Sequence, residues 1–382
     1  MSEKQHLRRA GEENILFVSD SESDADLFYA TGFLVGDPMI YLELGGRKIL
    51  LVSDLELGRA RKEAQVDEVL PTSPIEDALR AEGRGAPLTH IVAEFLATRG
   101  VEKVAVSSSL SFLQATKLRQ LGIEVECRDD PFFPERLVKS DAEIDAIHAT
   151  QQAAEEAMGF VIDEIRNSRI EGGYLHRVNE PLTATWLQRE AHKLLLERDC
   201  QAVNTIIAGG DLGCDPHQRG YGPLPANKTI IIDIFPRSLT TRYWGDITRT
   251  VVRGKATPEV RKLHEDVHAA QEEAIGRLRD GVDGVEIHKG VISCFEARGN
   301  VTEKRDGAMV GYFHGTGHGV GLEIHEQPRM GKMTSMIHTG HTVTVEPGLY
   351  YPGVGAVRLE DTVVVTETGH RNLTTFPKDL EV

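Results

Sequence analysis

Two aspartates, a run of glycine-flanked histidines and two glutamates in valine-rich strands are the residues of this chain whose types and spacing could do chemistry. In Lys228–Thr250 (KTIIIDIFPRSLTTRYWGDITRT), three isoleucines lead into Asp233, and Asp246 opens a second β-prone run. β-branched residues on both sides of a Pro/Ser/Gly-containing connection predict an antiparallel hairpin. With a side-chain period of two, Asp233 shares a face with Ile231 and Phe235, while Ile230, Ile232 and Ile234 point into a core. A carboxylate in such a strand is costly to bury without a cation or donors. Two of them on facing strands, their side chains ~5 Å apart, would repel each other, and a bound metal is the simplest compensation.

Downstream, FHGTGHGVGLEIHEQPR places His314, His318 and His325 among glycines, which let backbone approach a ligand closely. Neutral imidazole is a common metal ligand. Thr342-Val-Thr-Val-Glu346 reads as a strand ending in a carboxylate, and Arg358 and Glu360 share one face of the next valine-rich run. Any one of these residues alone reads as an ordinary solvated or hydrogen-bonded side chain. Together, Asp233, Asp246, His318, Glu346 and Glu360 form an oxygen-rich, single-nitrogen set suited to two divalent ions such as Mn²⁺, Co²⁺ or Zn²⁺. Two ions ~3.5–4 Å apart would acidify a shared water into a nucleophile.

The elements that must position this set follow from patterning. A chain of 382 residues predicts two domains. Residues 1–136 read as a small α/β domain with strands at Ile15–Val18, Met39–Leu44, Lys48–Ser53 and Lys103–Ser107. Its helical pattern at Leu88–Arg99 ends on Gly100, and Gly45-Gly46 is a hairpin signal. No catalytic spacing occurs there. Residues 137–382 read as α+β, with helices over a curved antiparallel sheet. Ser140 and Glu143 form a capping box before a stripe of Ile144, Ile147, Ala154, Met158, Val161 and Ile165. Further helices are expected over Thr183–Glu197, from Thr257-Pro258 to Gly281, and over Val285–Arg298. Strands are expected at Gly311–His314, His341–Glu346 and Ala356–Thr366.

A net charge of −16 argues against nucleic acid or an anionic membrane as partner. The opening MSEKQHLRRAGEEN lacks an apolar leader core, no run reaches membrane-spanning length, and the four scattered cysteines suit a reducing compartment; the expectation is a cytoplasmic protein.

These motifs resemble the pita-bread metallopeptidases, which include Xaa-Pro aminopeptidases, Xaa-Pro dipeptidases (prolidases) and methionine aminopeptidases. The resemblance covers nearly the whole chain. Its first domain is similar to the creatinase-like domain of the proline-specific members, and Arg136-Leu-Val-Lys-Ser140-Asp-Ala-Glu-Ile144 to their entry into the catalytic domain. The resemblance implies that Asp233 and Asp246 hold one metal, that Asp246, His318 and Glu360 reach the other, and that Glu346 and Glu360 bridge. It implies that Glu346 shuttles a proton to the leaving nitrogen, and that His325 and His314 flank the substrate, His325 polarising the scissile carbonyl. It further implies His217 near the leaving nitrogen, Arg358 holding the bridging glutamate, and a homodimer. Arg329 is a candidate clamp for a free substrate carboxylate, which would favour a dipeptidase; it reads equally as a surface arginine. The context of His217, Asp-Pro-His-Gln-Arg-Gly-Tyr, departs from the family pattern, and so do two features of the aspartate hairpin. Phe235 stands where a glycine is usual, and the aspartates lie 13 positions apart, a longer connection than the family's. A creatinase-like amidinohydrolase or a non-catalytic binding protein are the alternatives; both go with replaced carboxylate ligands, and none is replaced here.

Overall fold

The structure, a computed structural model, describes residues 13–382, and its chain divides into two compact units, Met1–Arg136 and Leu137–Val382. The polar opening segment lies almost wholly outside the described residues. Among those residues, no helix is long and apolar enough to cross a membrane.

The first unit is built on a six-stranded mixed sheet in the order Glu68–Pro71, Arg47–Val52, Met39–Leu44, Ile15–Ser19, Lys103–Ser107, Glu124–Arg128. Alternation buries both of its faces. Leu16, Val18, Ile40 and Leu42 pack with Ile91, Leu96 and Leu118 on one side. Ile15, Phe17, Met39 and Tyr41 pack with Leu27, Phe33 and Phe132 on the other. Gly45 and Gly46 both take positive φ, 55° and 80°, and turn the chain tightly between two antiparallel strands.

The second unit carries the candidate site. Its strands do not form one continuous surface: two antiparallel sheets and a ribbon carry the site, and four further two-stranded pairs lie outside them. The first orders Ile206–Gly209, Thr229–Ile234 and Ile247–Val252; the second orders Glu326–Met330, Gly317–Gly319, Thr342–Val345, Asp361–Thr366 and Gly369–Asn372. The ribbon Gly348–Tyr351 with Gly355–Arg358 runs between them, and an isolated antiparallel bridge joins Thr248 to Glu360.

Each sheet has its own helical layer on its outer face. Ser140 and Glu143 close the expected capping box on the helix Asp141–Asn167. That helix and Ala184–Leu196 bury Ile230, Ile232, Ile234, Ile247 and Val251. Pro258–Arg277, capped by Thr257, and Gly284–Ala297 bury Val343, Val345, Val363 and Val365. The alternate residues of the same strands, Asp233, Thr248, Thr250, Thr342 and Thr344, are therefore polar groups buried on the inner faces.

Three expectations need correction. Asp233 and Asp246 do not face each other: Asp233 pairs with Thr248, and Asp246 lies two residues before that partner, on a diagonal. Of Gly311–His314, Gly311 makes a bridge to Tyr350 while the rest forms a loop. The run Ala356–Thr366 is broken at Leu359-Glu360, which lets Glu360 reach the other sheet.

Ile232 is fully buried between the first sheet and its helices. Ile232→Ala is expected to cost about 2–5 kcal/mol of stability, read as a lower midpoint in urea unfolding; a change within experimental error would show that this face is not the packed one.

Candidate metal centre

The site is assembled at the ends of the strands. Asp233 is the fifth residue of Thr229–Ile234, and Asp246 immediately precedes Ile247–Val252. The main chain of Asp246 is fixed from both sides: its N–H donates to Gln151 Oε1 at 2.8 Å, and its carbonyl accepts from Thr362 Oγ1 at 3.0 Å. His318 is the middle residue of Gly317–Gly319, where a Cβ on Gly317 would meet the Thr344 carbonyl at 1.9 Å. Glycine is required there for the strands to close. Glu346 follows Thr342–Val345 directly, its N–H donating to the Thr316 carbonyl at 2.8 Å.

Asp246, His318 and Glu360 each present a ligand atom within 4.8 Å of the other two, and all three are buried. His318 Nε2 lies 3.8 Å from Asp246 Oδ2 and 3.6 Å from Glu346 Oε1. The other ring nitrogen, Nδ1, is 3.1 Å from the Gly319 carbonyl, so it carries the proton and leaves the Nε2 lone pair turned toward the carboxylates. Burial holds this imidazole down to about 3, with His325 adding to the effect; it is neutral and able to ligate.

The carboxylates are in the opposite condition. Burial, then Glu360 and Asp233, push Asp246 well above its ordinary range. Burial and the neighbouring Glu346 do the same to Glu360, and burial raises Glu346 to about 7. Thr248 Oγ1 donates to Glu360 Oε2 at 2.8 Å, and Arg358 Nη2 donates to Asp233 Oδ2 at 2.6 Å. Asp233 Oδ1 is buried without a hydrogen-bond partner. One guanidinium and one hydroxyl do not offset this many carboxylates. A divalent cation fits the orphaned oxygen, the neutral imidazole and the mutual repulsion together.

Arg358 is thus placed differently from the expectation, donating to Asp233 rather than to a glutamate. Its Nη1 donates to Tyr350 Oη at 3.1 Å, and Tyr350 Oη is 2.9 Å from His314 Nε2. His314 Nδ1 is 2.8 Å from the Gly315 carbonyl. With Nδ1 donating there, Tyr350 donates to Nε2, and both nitrogens of His314 are engaged.

The ten side chains singled out in the sequence (Asp233, Asp246, His318, Glu346, Glu360, Arg358, His217, His314, His325 and Arg329) all line one cavity of about 610 Å³. Ile206, Phe235, Phe313 and Ile324 supply its apolar wall. His325 and His217 are exposed to it, and the His325 ring meets that of His318 edge-on, centroids 4.5 Å apart. Burial, then Arg329, keeps His325 below the ordinary histidine value. The long connection between the aspartates is no free loop. Pro236–Ser238 pairs with Cys200–Ala202, and Trp244 Nε1 donates to the Leu322 carbonyl at 3.0 Å.

Gln151, Thr248 and Tyr350 escaped the sequence reading. Thr248 was within reach, since it shares a face with Asp246 at the strand period. Gln151 interrupts an apolar helical stripe, and Tyr350 has no spacing to mark it.

This fold and this carboxylate–histidine cavity define a metal-dependent hydrolase of the pita-bread type. The metallopeptidase family M24 matches residues 145–367, and the creatinase/prolidase N-terminal domain matches residues 5–129. The chain belongs to metallopeptidase family M24. It is 29% identical over 291 residues to an Xaa-Pro dipeptidase of Pyrococcus horikoshii, covering 75% of this chain and 77% of that protein. Its fold matches the prolidase from Pyrococcus furiosus with a TM-score of 0.78 at 24% identity, over 96% of this chain and 97% of that one. It matches the X-Pro aminopeptidase from Thermotoga maritima with a TM-score of 0.82 at 22% identity, over the full length of both.

The raised carboxylates set a sign for metal linkage. Without a cation the folded protein keeps protons on Glu346, Asp246 and Glu360 that unfolded carboxyls, near pH 4, have released. Their contribution to stability is therefore present at low pH and lost as pH rises through the folded values, about 7 for Glu346. A bound divalent ion displaces those protons, so the rise in melting temperature on adding metal to chelated protein should grow from about pH 5.5 to about pH 8. A metal-induced rise that shrinks over that range would show that these carboxylates are not the ligands.

Proposed function

We propose that this chain is a dinuclear-metal exopeptidase that hydrolyses the bond between an N-terminal residue and proline. The observation that carries the reading is the convergence of Asp246, His318 and Glu360 within 4.8 Å, beside Glu346 and a buried, unpartnered Asp233 oxygen. Asp233 and Asp246 would hold one ion and Asp246, His318 and Glu360 the second, with Glu346 and Glu360 shared. When bound, such ions acidify water and polarise a carbonyl. The similarity to a curated Xaa-Pro dipeptidase supports the proline specificity. A bond to proline is a tertiary amide without an N–H, which ordinary aminopeptidase sites cannot grip.

The chain's own residues divide the remaining work. Glu346, about one-fifth exposed to the cavity and raised to about 7 by burial, is placed to accept a proton and return it to the leaving nitrogen. His325, neutral and open to the cavity, donates to the scissile carbonyl oxygen. His217, which also lines the cavity, would lie near the leaving nitrogen. His314, its nitrogens engaged, acts as a wall of fixed orientation and closes the chain from Asp233 through Arg358 and Tyr350. Arg329 is exposed on the cavity, and among the described residues its side chain has no carboxylate within ion-pair distance. A free guanidinium there favours a dipeptidase, whose Xaa-Pro substrate ends in a free proline carboxylate. The presence of every carboxylate ligand separates this reading from an amidinohydrolase or a non-catalytic relative. The expectations of Mn²⁺, Co²⁺ or Zn²⁺, of a homodimer and of a cytoplasmic location belong to the same proposal.

The test is hydrolysis of Ala-Pro and Ala-Pro-Ala by chelated protein given back each metal in turn. Metal-dependent cleavage of at least one is expected, and inactivity on both with every metal would sink the reading. Glu346→Gln should lower kcat by about 10²-fold or more while metal binding is largely kept; near-normal turnover would remove it from proton transfer. Arg329→Met should raise KM for Ala-Pro by about tenfold or more and leave Ala-Pro-Ala less affected. Equal effects on the two peptides would remove the clamp.

A further inference from the structure

Lys139 and Glu326 form an ion pair at 2.7 Å whose side chains are each 1% exposed, outside the metal cluster. Such a pair adds little to stability compared with apolar residues of similar size, so its presence asks for another reason. Glu326 directly follows His325 and opens the strand Glu326–Met330, along which inward and outward residues alternate: Glu326, Pro328 and Met330 buried, Gln327 and Arg329 exposed. The exposed His325 continues that alternation backwards. Whatever pins Glu326 inward therefore turns His325 and Arg329 toward the cavity, where both are found.

The pin is two-sided. Lys139 Nζ donates to Glu326 Oε2, while the other oxygen, Oε1, accepts the Glu323 N–H at 3.1 Å and closes the bend before His325. Gly321 leaves room for this carboxylate, since a Cβ there would meet Oε2 at 2.6 Å. Lys139 is itself anchored, its own N–H donating to the Gly340 carbonyl at 2.9 Å. Gly340 lies two residues before Thr342–Val345, the strand that ends at Glu346. One lysine thus refers both the His325 bend and the Glu346 strand to the same point.

We propose that Lys139 and Glu326 are positioning residues that set His325, and with it the transition-state donor, against Glu346. The inference rests on the reading of His325 as that donor. The variant Lys139→Met/Glu326→Leu replaces the pair by apolar side chains of similar size and keeps the protein folded. Its kcat on the better of Ala-Pro and Ala-Pro-Ala should fall roughly 10–100-fold, with bound metal per chain unchanged and KM nearly so. Lys139→Met/Glu326→Gln restores an acceptor for the Glu323 N–H and should recover most of that loss. In a His325→Ala background the Met/Leu exchange should lower kcat no further. Wild-type turnover in the Met/Leu variant, loss of metal, no recovery with glutamine, or an equal loss without His325 would each overturn the proposal. Unchanged kcat in His325→Ala alone is a separate failure: it would sink the donor reading of His325 and take this inference with it.

Discussion

The repulsion among buried carboxylates is the constraint on which the rest of this unit depends. Asp246, Glu346 and Glu360 are pushed upward first by burial and then by neighbouring acidic groups. At an effective dielectric near 20, two charges 4 Å apart repel by about 4 kcal/mol. Arg358 on Asp233 and Thr248 on Glu360 offset part of that. The remainder has to be held by scaffold and cation. Two sheets, each packed outward on its own pair of helices, supply a backbone too rigid to let the carboxylates drift apart. The apolar faces of the strands thus work for the polar ones: Ile230, Ile232 and Ile234 fix where Asp233 points.

Much of this was legible because strands have a strict period. The odd–even split around Asp233 and around Glu346 followed from residue types alone, and so did the helix starts at Ser140, Thr183 and Thr257, where a side-chain oxygen precedes the apolar stripe. What periodicity does not carry is register between strands distant in sequence. Facing strands for Asp233 and Asp246 follow from the residue types, but the ladder pairs Asp233 with Thr248, because the connection between them spends residues on a short side ribbon with Cys200–Ala202. Arg358 likewise meets a different carboxylate from the glutamate that the family resemblance implies for it. Its strand position was clear, but which carboxylate it meets is decided by how the ribbon Gly348–Tyr351/Gly355–Arg358 lies between the two sheets.

Phe235 and the long connection are both departures from the family pattern, and they have a common physical account. Phe235 lines the cavity, and the residues after it form the ribbon whose far end, Trp244, donates to the Gly321 and Leu322 carbonyls. The extra length is therefore spent in hydrogen bonds to the histidine-bearing segment instead of extending into solvent. A wall residue is added and the bend before His325 gains a second support, while the ligand set stays intact.

Three of the five proposed ligands lie at strand boundaries, while the other two, Asp233 and His318, lie within strands. Asp246 precedes its strand, Glu346 follows its own, and Glu360 sits in the break between two. Inside a strand the ladder fixes each side chain's direction, so Asp233 and His318 are aimed by the inner faces of their two sheets. Where the ladder stops the backbone is less constrained, which lets Asp246, Glu346 and Glu360 turn into the same cavity from separate elements. The hydrogen bonds from the Asp246 N–H to Gln151, from the Thr362 hydroxyl to the Asp246 carbonyl, and from the Glu346 N–H to the Thr316 carbonyl then lock those turned ends in place. Convergence is made possible by the ends of the ladder, and its accuracy depends on the polar groups that hold them.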